Sequence, residues 1–288
     1  MHKQTSPCLS VATTMEASEI LSSRLVDLGA LAIEQRDHTT MLTPESGTAL
    51  LVAGFEDEPT RDKAYKDLLQ DKKNIFELHL LDIPPGSWET AWQAFFKPVF
   101  LTKLAVVTPW MLPIQTELCP IVIDPGQAFG TGGHATTRML LSLLEQRAKA
   151  GNLPKKVLDV GCGSGILAIA AAKLGSTNVS AIDIDEESVT CTLTNGRANG
   201  VAEALTVRAG TAGDLSGEWP LVLANLQLSI FISEAAKLVP LVGKGKEVLL
   251  SGLLEGQADA CLALWPGFDL TATNQEGEWI ALALKRQE

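Results

Sequence analysis

The residues best suited to chemistry lie between Asp124 and Asp183. Val157-Leu158-Asp159-Val160 has the composition of a buried strand and runs into Gly161-Cys162-Gly163-Ser164-Gly165, followed by the apolar stretch ILAIAAAKLG. Glycines let a backbone turn tightly and approach a ligand closely, and the start of a helix offers N–H groups that lack intrahelical partners. The pattern predicts a strand, a glycine turn and a helix built around a nucleoside-containing ligand. Asp183 closes the next strand, 22 residues after Gly161, where a carboxylate can accept hydrogen bonds from ribose hydroxyls.

Two ligands satisfy this spacing. Asp159-x-Gly161-x-Gly163-x-Gly165 suits S-adenosylmethionine, with an acidic residue opening the loop. Gly163-x-Gly165-x-x-Ala168 also meets the loose dinucleotide fingerprint, with Asp183 twenty residues further on. Upstream, DPGQAFGTGGHATTR (124–138) holds four glycines, one aromatic residue, one histidine and three threonines directly before MLLSLLEQ, which has helical spacing. That composition makes a poor core strand and a suitable binding loop. His134 stands without metal-ligand companions, so a structural role is expected for it and no metal site is predicted.

The elements that must position these residues fall into two groups. Within residues 1–84, Leu9 and Val11 suggest a short strand, and Ile20, Leu21, Leu25 and Leu28 recur at helical spacing before Gly29. ALAIEQ (30–35) and TALLVAGF (48–55) read as strands, Thr60 is placed to cap a charged helix through Leu69, and IFELHLLDI (75–83) alternates like a strand. The order βαββαβ predicts a small ferredoxin-like α+β domain. Pro84-Pro85-Gly86 breaks it, and residues 85–98, containing SWETAWQAFFKP, read as a helical linker whose Trp88, Trp92 and Phe96 share one face. From 99 to 288 short apolar strands (KKVLDVG, NVSAIDID, LVLANL, EVLLSGL) alternate with helical stretches, which predicts a doubly wound, mainly parallel α/β sheet. FDLTATNQ and EGEWIALALK then read as a terminal antiparallel hairpin, a feature of class I methyltransferases more than of dinucleotide-binding domains.

Composition narrows the function classes. The chain has 288 residues, five scattered cysteines and a net charge of −11. The cysteine spacing fits neither a disulfide framework nor a zinc site and points to a reducing cytoplasm. There is no apolar run near the roughly 20 residues of a membrane span, so no membrane partner is expected. The acidic balance disfavours a direct nucleic-acid footprint, which needs clustered Lys and Arg. Residues 1–85 carry eight Lys/Arg against fourteen Asp/Glu, compatible with a basic protein partner.

The stretch DPGQAFGTGGHATTR resembles the signature DPG-x-AFGTG-x-H-x-TT of the PrmA-type methyltransferases of large-subunit ribosomal protein eleven. VDLGAL (26–31), the W…FFKP linker, VVTPW, VLDVGCGSGILAIAAAKLG, AIDID, ANL, LLSGLL and the terminal GEW are similar to that family in order and spacing. The resemblance covers nearly the full chain and resolves the choice of ligand toward S-adenosylmethionine. It implies a seven-stranded class I methyltransferase sheet behind a ferredoxin-like domain that recognises the substrate. It implies a monomer that methylates lysine ε-amines and an N-terminal α-amine of ribosomal protein eleven. Carried onto this sequence, the donor-binding positions are Thr137, Gly161, Gly163, Asp183 and Asn225, with Phe129, Gly130, Thr131 and Gly132 in the covering loop. Asn225 is also expected to orient the amine. Glutamine-modifying relatives of this core carry Asn-Pro-Pro-aromatic where this chain has Asn225-Leu226-Gln227-Leu228, which favours an amine acceptor over an amide. A methyltransferase of another protein or of a small molecule, and a non-catalytic nucleotide-binding module, are the alternatives.

Overall fold

The computed structural model describes residues 6–36, 48–70, 74–83, 98–124 and 132–288. The chain divides into two units, Met1–Phe96 and Lys97–Glu288.

In the first unit, β1 (Ser6–Thr14), α1 (Met15–Asp27), β2 (Ala30–Arg36), β3 (Thr48–Phe55), α2 (Glu58–Leu68) and β4 (Ile75–Ile83) follow the anticipated order. The sheet order is β2-β3-β1-β4 with antiparallel neighbours, the ferredoxin-like arrangement. Leu9 and Val11 of β1 and Leu51 and Ala53 of β3 point to one face, where they bury against Leu21 and Leu25 of α1 and Ala64 and Leu68 of α2. Strand β1 is longer than the Leu9–Val11 core suggested, because both of its edges are paired. The cap of α2 is not Thr60 but Asp57, three residues earlier, whose carboxylate accepts from Thr60 N–H at 2.8 Å. An ionised carboxylate at a helix N-terminus is favoured by the dipole as well as by the bond. The linker residues Trp88, Trp92 and Phe96 lie outside the described residues.

The second unit opens with a small sheet that sequence periodicity did not separate from the main one: β5 (Val99–Phe100), β6 (Leu104–Val107) and β7 (Cys119–Val122) in that order. Helix α3 (Ala135–Lys149) holds the β5–β6 turn through Glu145, which is 4% exposed. Its carboxylate accepts from the N–H groups of Thr102, Lys103 and Leu104 at 3.0, 2.7 and 2.8 Å, which satisfies a buried anion with backbone donors alone.

The main sheet contains β8 (Lys156–Val160), β9 (Asn178–Asp183), β10 (Leu205–Ala209), β11 (Trp219–Asn225), β12 (Val242–Leu254), β13 (Phe268–Glu276) and β14 (Trp279–Arg286). Its order is β10-β9-β8-β11-β12-β14-β13, parallel throughout except for the final hairpin, whose β14 inserts antiparallel beside β12. The helices α4 (Ile166–Lys173), α5 (Glu186–Ala198), α6 (Leu228–Leu238) and the short α7 (Ala258–Leu262) complete the layers. One core packs Leu140, Leu141 and Leu144 of α3 and Ile169 of α4 on Val157 and Leu223; the other packs Phe231 and Leu238 of α6 on Leu158, Val222 and Val248. Alternate residues of β8 and β11 thus face opposite layers, each covered. Burying one such Leu or Phe side chain stabilises by roughly 1.5–3 kcal/mol.

Candidate active site

The strand order sets β8 between β9 and β11, and their carboxyl ends open onto one cavity of about 680 Å³. Open α/β sheets bind ligands at this edge, where neighbouring loops part. Four strand ends contribute to the walls: Gly161 and Gly163 after β8, Asp183 at β9, Gly210 and Thr211 after β10, and Asn225 at β11.

The glycine turn has the geometry its composition implied. Gly161 has φ +72° and Gly165, which starts α4, has φ +82°. A Cβ on Gly161 would lie 2.5 Å from Leu226 Cδ2, and one on Gly165 would lie 2.7 Å from Thr192 Cγ2. Both positions combine a left-handed backbone with close approach, so only glycine fits without strain. Gly161 N–H and Cys162 N–H donate to the Ile182 carbonyl at 2.9 and 3.0 Å, which ties the turn to β9.

Asp183 is held from two sides. Gly163 N–H donates to Oδ2 at 2.9 Å and Asp185 N–H donates to Oδ1 at 3.1 Å. Each oxygen keeps a lone pair for a further donor, so the carboxylate is oriented and still able to accept two ligand hydroxyls.

Below the turn, Asp159 is wholly buried. Its Oδ2 accepts from Ala168 N–H at 3.1 Å, and among the described residues its Oδ1 has no partner. Burial pushes its pKa up to about 7, the Ala168 bond works against this, and the nearby Asp183 adds to it. A carboxyl with one unpaired oxygen under a glycine turn favours a cationic ligand group above it, because ionisation in so dry a place needs a compensating charge. The same burial, with Asp159 beside it, raises the Cys162 thiol to about 12. It is therefore no nucleophile at neutral pH.

Thr137 and Asn225 meet across the cavity. Thr137 sits in the first turn of α3 and is fully buried, and Asn225 Nδ2 donates to its Oγ1 at 3.3 Å. Leu226 N–H donates to the Ser251 carbonyl at 2.9 Å, and a Cβ on Gly252 would stand 2.4 Å from the Leu226 carbonyl oxygen. That contact is the physical reason for glycine in LLSGLL: β12 presses directly against the backbone that carries Asn225. His134 proves to be the N-cap of α3. Thr136 N–H and Oγ1–H lie 3.4 and 2.8 Å from its Nδ1, and its ring packs edge-on against Trp279 at 4.8 Å. Arg138 pairs with Glu276 and donates to the Gly133 carbonyl. The start of α3 is therefore fastened to the terminal hairpin.

Of the positions singled out from sequence, Thr137, Gly161, Gly163, Asp183 and Asn225 line the cavity together. Gly132, with φ +88°, stands outside the lining; a Cβ there would meet Val106 Cγ1 at 2.8 Å and Ile166 Cδ1 at 3.0 Å. Phe129, Gly130 and Thr131 lie outside the described residues. Sequence reasoning passed over Thr211, Ala212, Ile184 and Ile230, which also line the cavity. The signal for the first two was available, since Gly210-Thr211 follows a parallel strand as Gly161 does.

A doubly wound sheet of this strand order, with an inserted antiparallel last strand and a glycine-turn cavity at its carboxyl edge, defines a class I methyltransferase domain. The family model described as ribosomal protein L11 methyltransferase (PrmA) matches residues 7–287, and the chain belongs to that family. A ribosomal protein L11 methyltransferase of Sorangium cellulosum is 35% identical over 252 residues, covering 86% of this chain and 78% of the relative. One from Lactobacillus helveticus is 30% identical, covering 97% and 98%. The crystal structure of a ribosomal protein L11 methylase from Lactobacillus delbrueckii subsp. bulgaricus is 33% identical and superposes with a TM-score of 0.59, covering 67% of this chain and all of that one.

Proposed function

We propose that this enzyme transfers methyl groups from S-adenosylmethionine to lysine ε-amines and the N-terminal α-amine of ribosomal protein L11. The observation that carries the reading is the single cavity uniting the glycine turn, Asp183, Thr137 and Asn225. Its parts suit this donor. Asp183 offers acceptors for two ribose hydroxyls, Ile184, Ala212 and Ile230 offer apolar surface for a flat base, and the glycine turn leaves room for the amino-acid tail. When bound, S-adenosylmethionine supplies an electrophilic methyl group on a sulfonium.

The chain's task is then positioning. An amine must arrive unprotonated and in line behind the methyl, and fixed geometry can supply most of the rate. Exposed lysine has a pKa of about 10.4; removal from water and a nearby positive charge both disfavour its ammonium form. Among the described residues lining the cavity there is no Lys or His to serve as a strong base, and none is needed. Asn225, on a strand end braced by Gly252 and Thr137, is the residue we assign to orient the amine.

Residues 1–84 form the substrate-recognition module in this reading, residues 85–98 its linker and 99–288 the catalytic domain; the excess of acids in the first 85 residues suits a basic ribosomal protein. We place the enzyme in the cytoplasm as a monomer acting on the protein directly, without a nucleic-acid contact. Among the described residues no helix is long and apolar enough to cross a membrane. The test is incubation with purified L11 and labelled S-adenosylmethionine, then mass mapping. Label on L11 amines is expected; label on another protein alone would keep the chemistry and change the substrate. Removing residues 1–84 should abolish L11 methylation and leave donor binding intact.

A further inference from the structure

Helix α5 and its C-cap carry a stripe of buried polar side chains: Thr192 is 0%, Asn195 1% and Asn199 7% exposed. Spacings of three and four residues put them on one face. Polar groups in such places are costly unless hydrogen-bonded; all three bond to backbone, and Thr192 Oγ1 and Asn195 Nδ2 also reach Cys162 Sγ at 3.3 Å and Cys191 Sγ at 3.5 Å. Thr192 Oγ1 donates to the Gly163 carbonyl at 2.9 Å. Asn195 Nδ2 donates to the Ser164 carbonyl at 2.9 Å while its Oδ1 accepts from Asp124 N–H at 3.0 Å. Asn199 accepts from Val122 N–H at 2.8 Å and donates to the Val122 carbonyl at 2.6 Å. Strand β7 is an edge strand of its sheet, and Asn199 engages both polar groups of one residue as a neighbouring strand would.

Of the three, Asn195 alone bonds to both segments. Ser164 belongs to the glycine turn, and Asp124 follows β7 and opens the DPGQAFGTGGH motif. These two points lie far apart in sequence, and one buried carboxamide bonds to both. Thr192 and Asn195 also occupy two successive carbonyls of the turn. A leucine would fill the same volume at lower cost in desolvation, so the amide is there for direction.

We propose that Asn195 is a positioning residue for methyl transfer, setting the glycine turn and the start of the 124–134 motif in register through its two backbone bonds. It does not line the cavity and acts through the backbone it holds. The inference rests on the reading of the cavity as the methyl-donor site.

The experiment compares the full-length wild type with N195A, N195D and N199A. It measures thermal unfolding, affinity for S-adenosylmethionine by calorimetry and kcat on L11 at saturating donor. N195D keeps an acceptor for Asp124 N–H but sets an oxygen against the Ser164 carbonyl; N195A loses both bonds. Both should weaken donor binding about tenfold or more, within the roughly 100-fold that a misplacement of about 1 Å can cost. N195A should also lower kcat at saturating donor. N199A should melt earlier by a similar margin and hold the donor within about twofold of wild type. Wild-type affinity and kcat in folded N195A would overturn the proposal, as would equal loss of affinity in N199A. Should N195A fail to fold, wild-type donor affinity in N195D overturns it equally. Failure of the unsubstituted enzyme to bind or use the donor would refute the underlying function itself, a separate readout.

Discussion

Asp159→Asn should make the folded enzyme less sensitive to pH between about 4 and 8 and loosen its hold on a cationic ligand. Burial raises the pKa of this carboxyl from 3.8 to about 7. At about 1.4 kcal/mol per pH unit, ionising it in the folded enzyme costs about 4 kcal/mol more than in the unfolded chain. The group's folded pKa lies above its unfolded value. Its contribution to stability is therefore fully present below about pH 4, is lost progressively as pH rises, and is gone once pH passes the folded value near 7. An asparagine keeps an acceptor for Ala168 N–H and has no ionisation to penalise. The stability of the variant minus that of wild type should thus grow by up to about 4 kcal/mol from pH 4 to pH 8. Urea unfolding of both proteins across this range measures the difference and cancels the other titrating groups. Donor affinity should move the opposite way. Wild type should bind S-adenosylmethionine more tightly as pH rises through 7, because the ionised carboxylate favours a cation, while the variant should show a flat profile and bind about tenfold more weakly at pH 8. Parallel stability curves for the two proteins would refute the argument, since they would mean that Asp159 is already ionised well below pH 7.

Three further substitutions probe the cavity walls. Asn225→Ala should lower kcat about 10–100-fold at saturating donor and acceptor with little change in melting; wild-type turnover would remove Asn225 from its orienting role. Gly161→Ala introduces a side chain at φ +72° with its Cβ 2.5 Å from Leu226 Cδ2; a strain of about 1–2 kcal/mol and a narrower cavity should appear as weaker donor binding in calorimetry. Gly252→Ala meets backbone, 2.4 Å from the Leu226 carbonyl oxygen, which no rotamer relieves. It should lower stability by about 3 kcal/mol or more and reduce kcat by displacing Asn225, read by thermal unfolding and saturating turnover.

Much of the architecture was legible because its causes are local. The switch from alternating β4 to short apolar strands separated by helices marks two domains of different class. The glycine turn announces itself because residues such as Gly161 and Gly165 must adopt conformations other residues avoid. What was missed had weak local signals. Strands β5 to β7 are two to four residues long, too short for periodicity to register. Asp57 and Thr60 both suit a cap, and only the entry angle of the chain selects the first. The structural role expected of His134 was not missed: its Nδ1 is engaged at the start of α3.

The sequence by itself determined the βαββαβ order, the strand, glycine turn and helix around residues 157–174, the strand-end carboxylate at Asp183 and the terminal hairpin. Each follows from side-chain period or turn chemistry within some twenty residues. The tertiary structure alone decided that Asn225 reaches Thr137, 88 positions away, that Asp159 loses all solvent, and that Asn195 bonds to both Ser164 and Asp124. These depend on which strands become neighbours, and strand order is set by the packing of helices on both faces of the sheet, a balance no local spacing records.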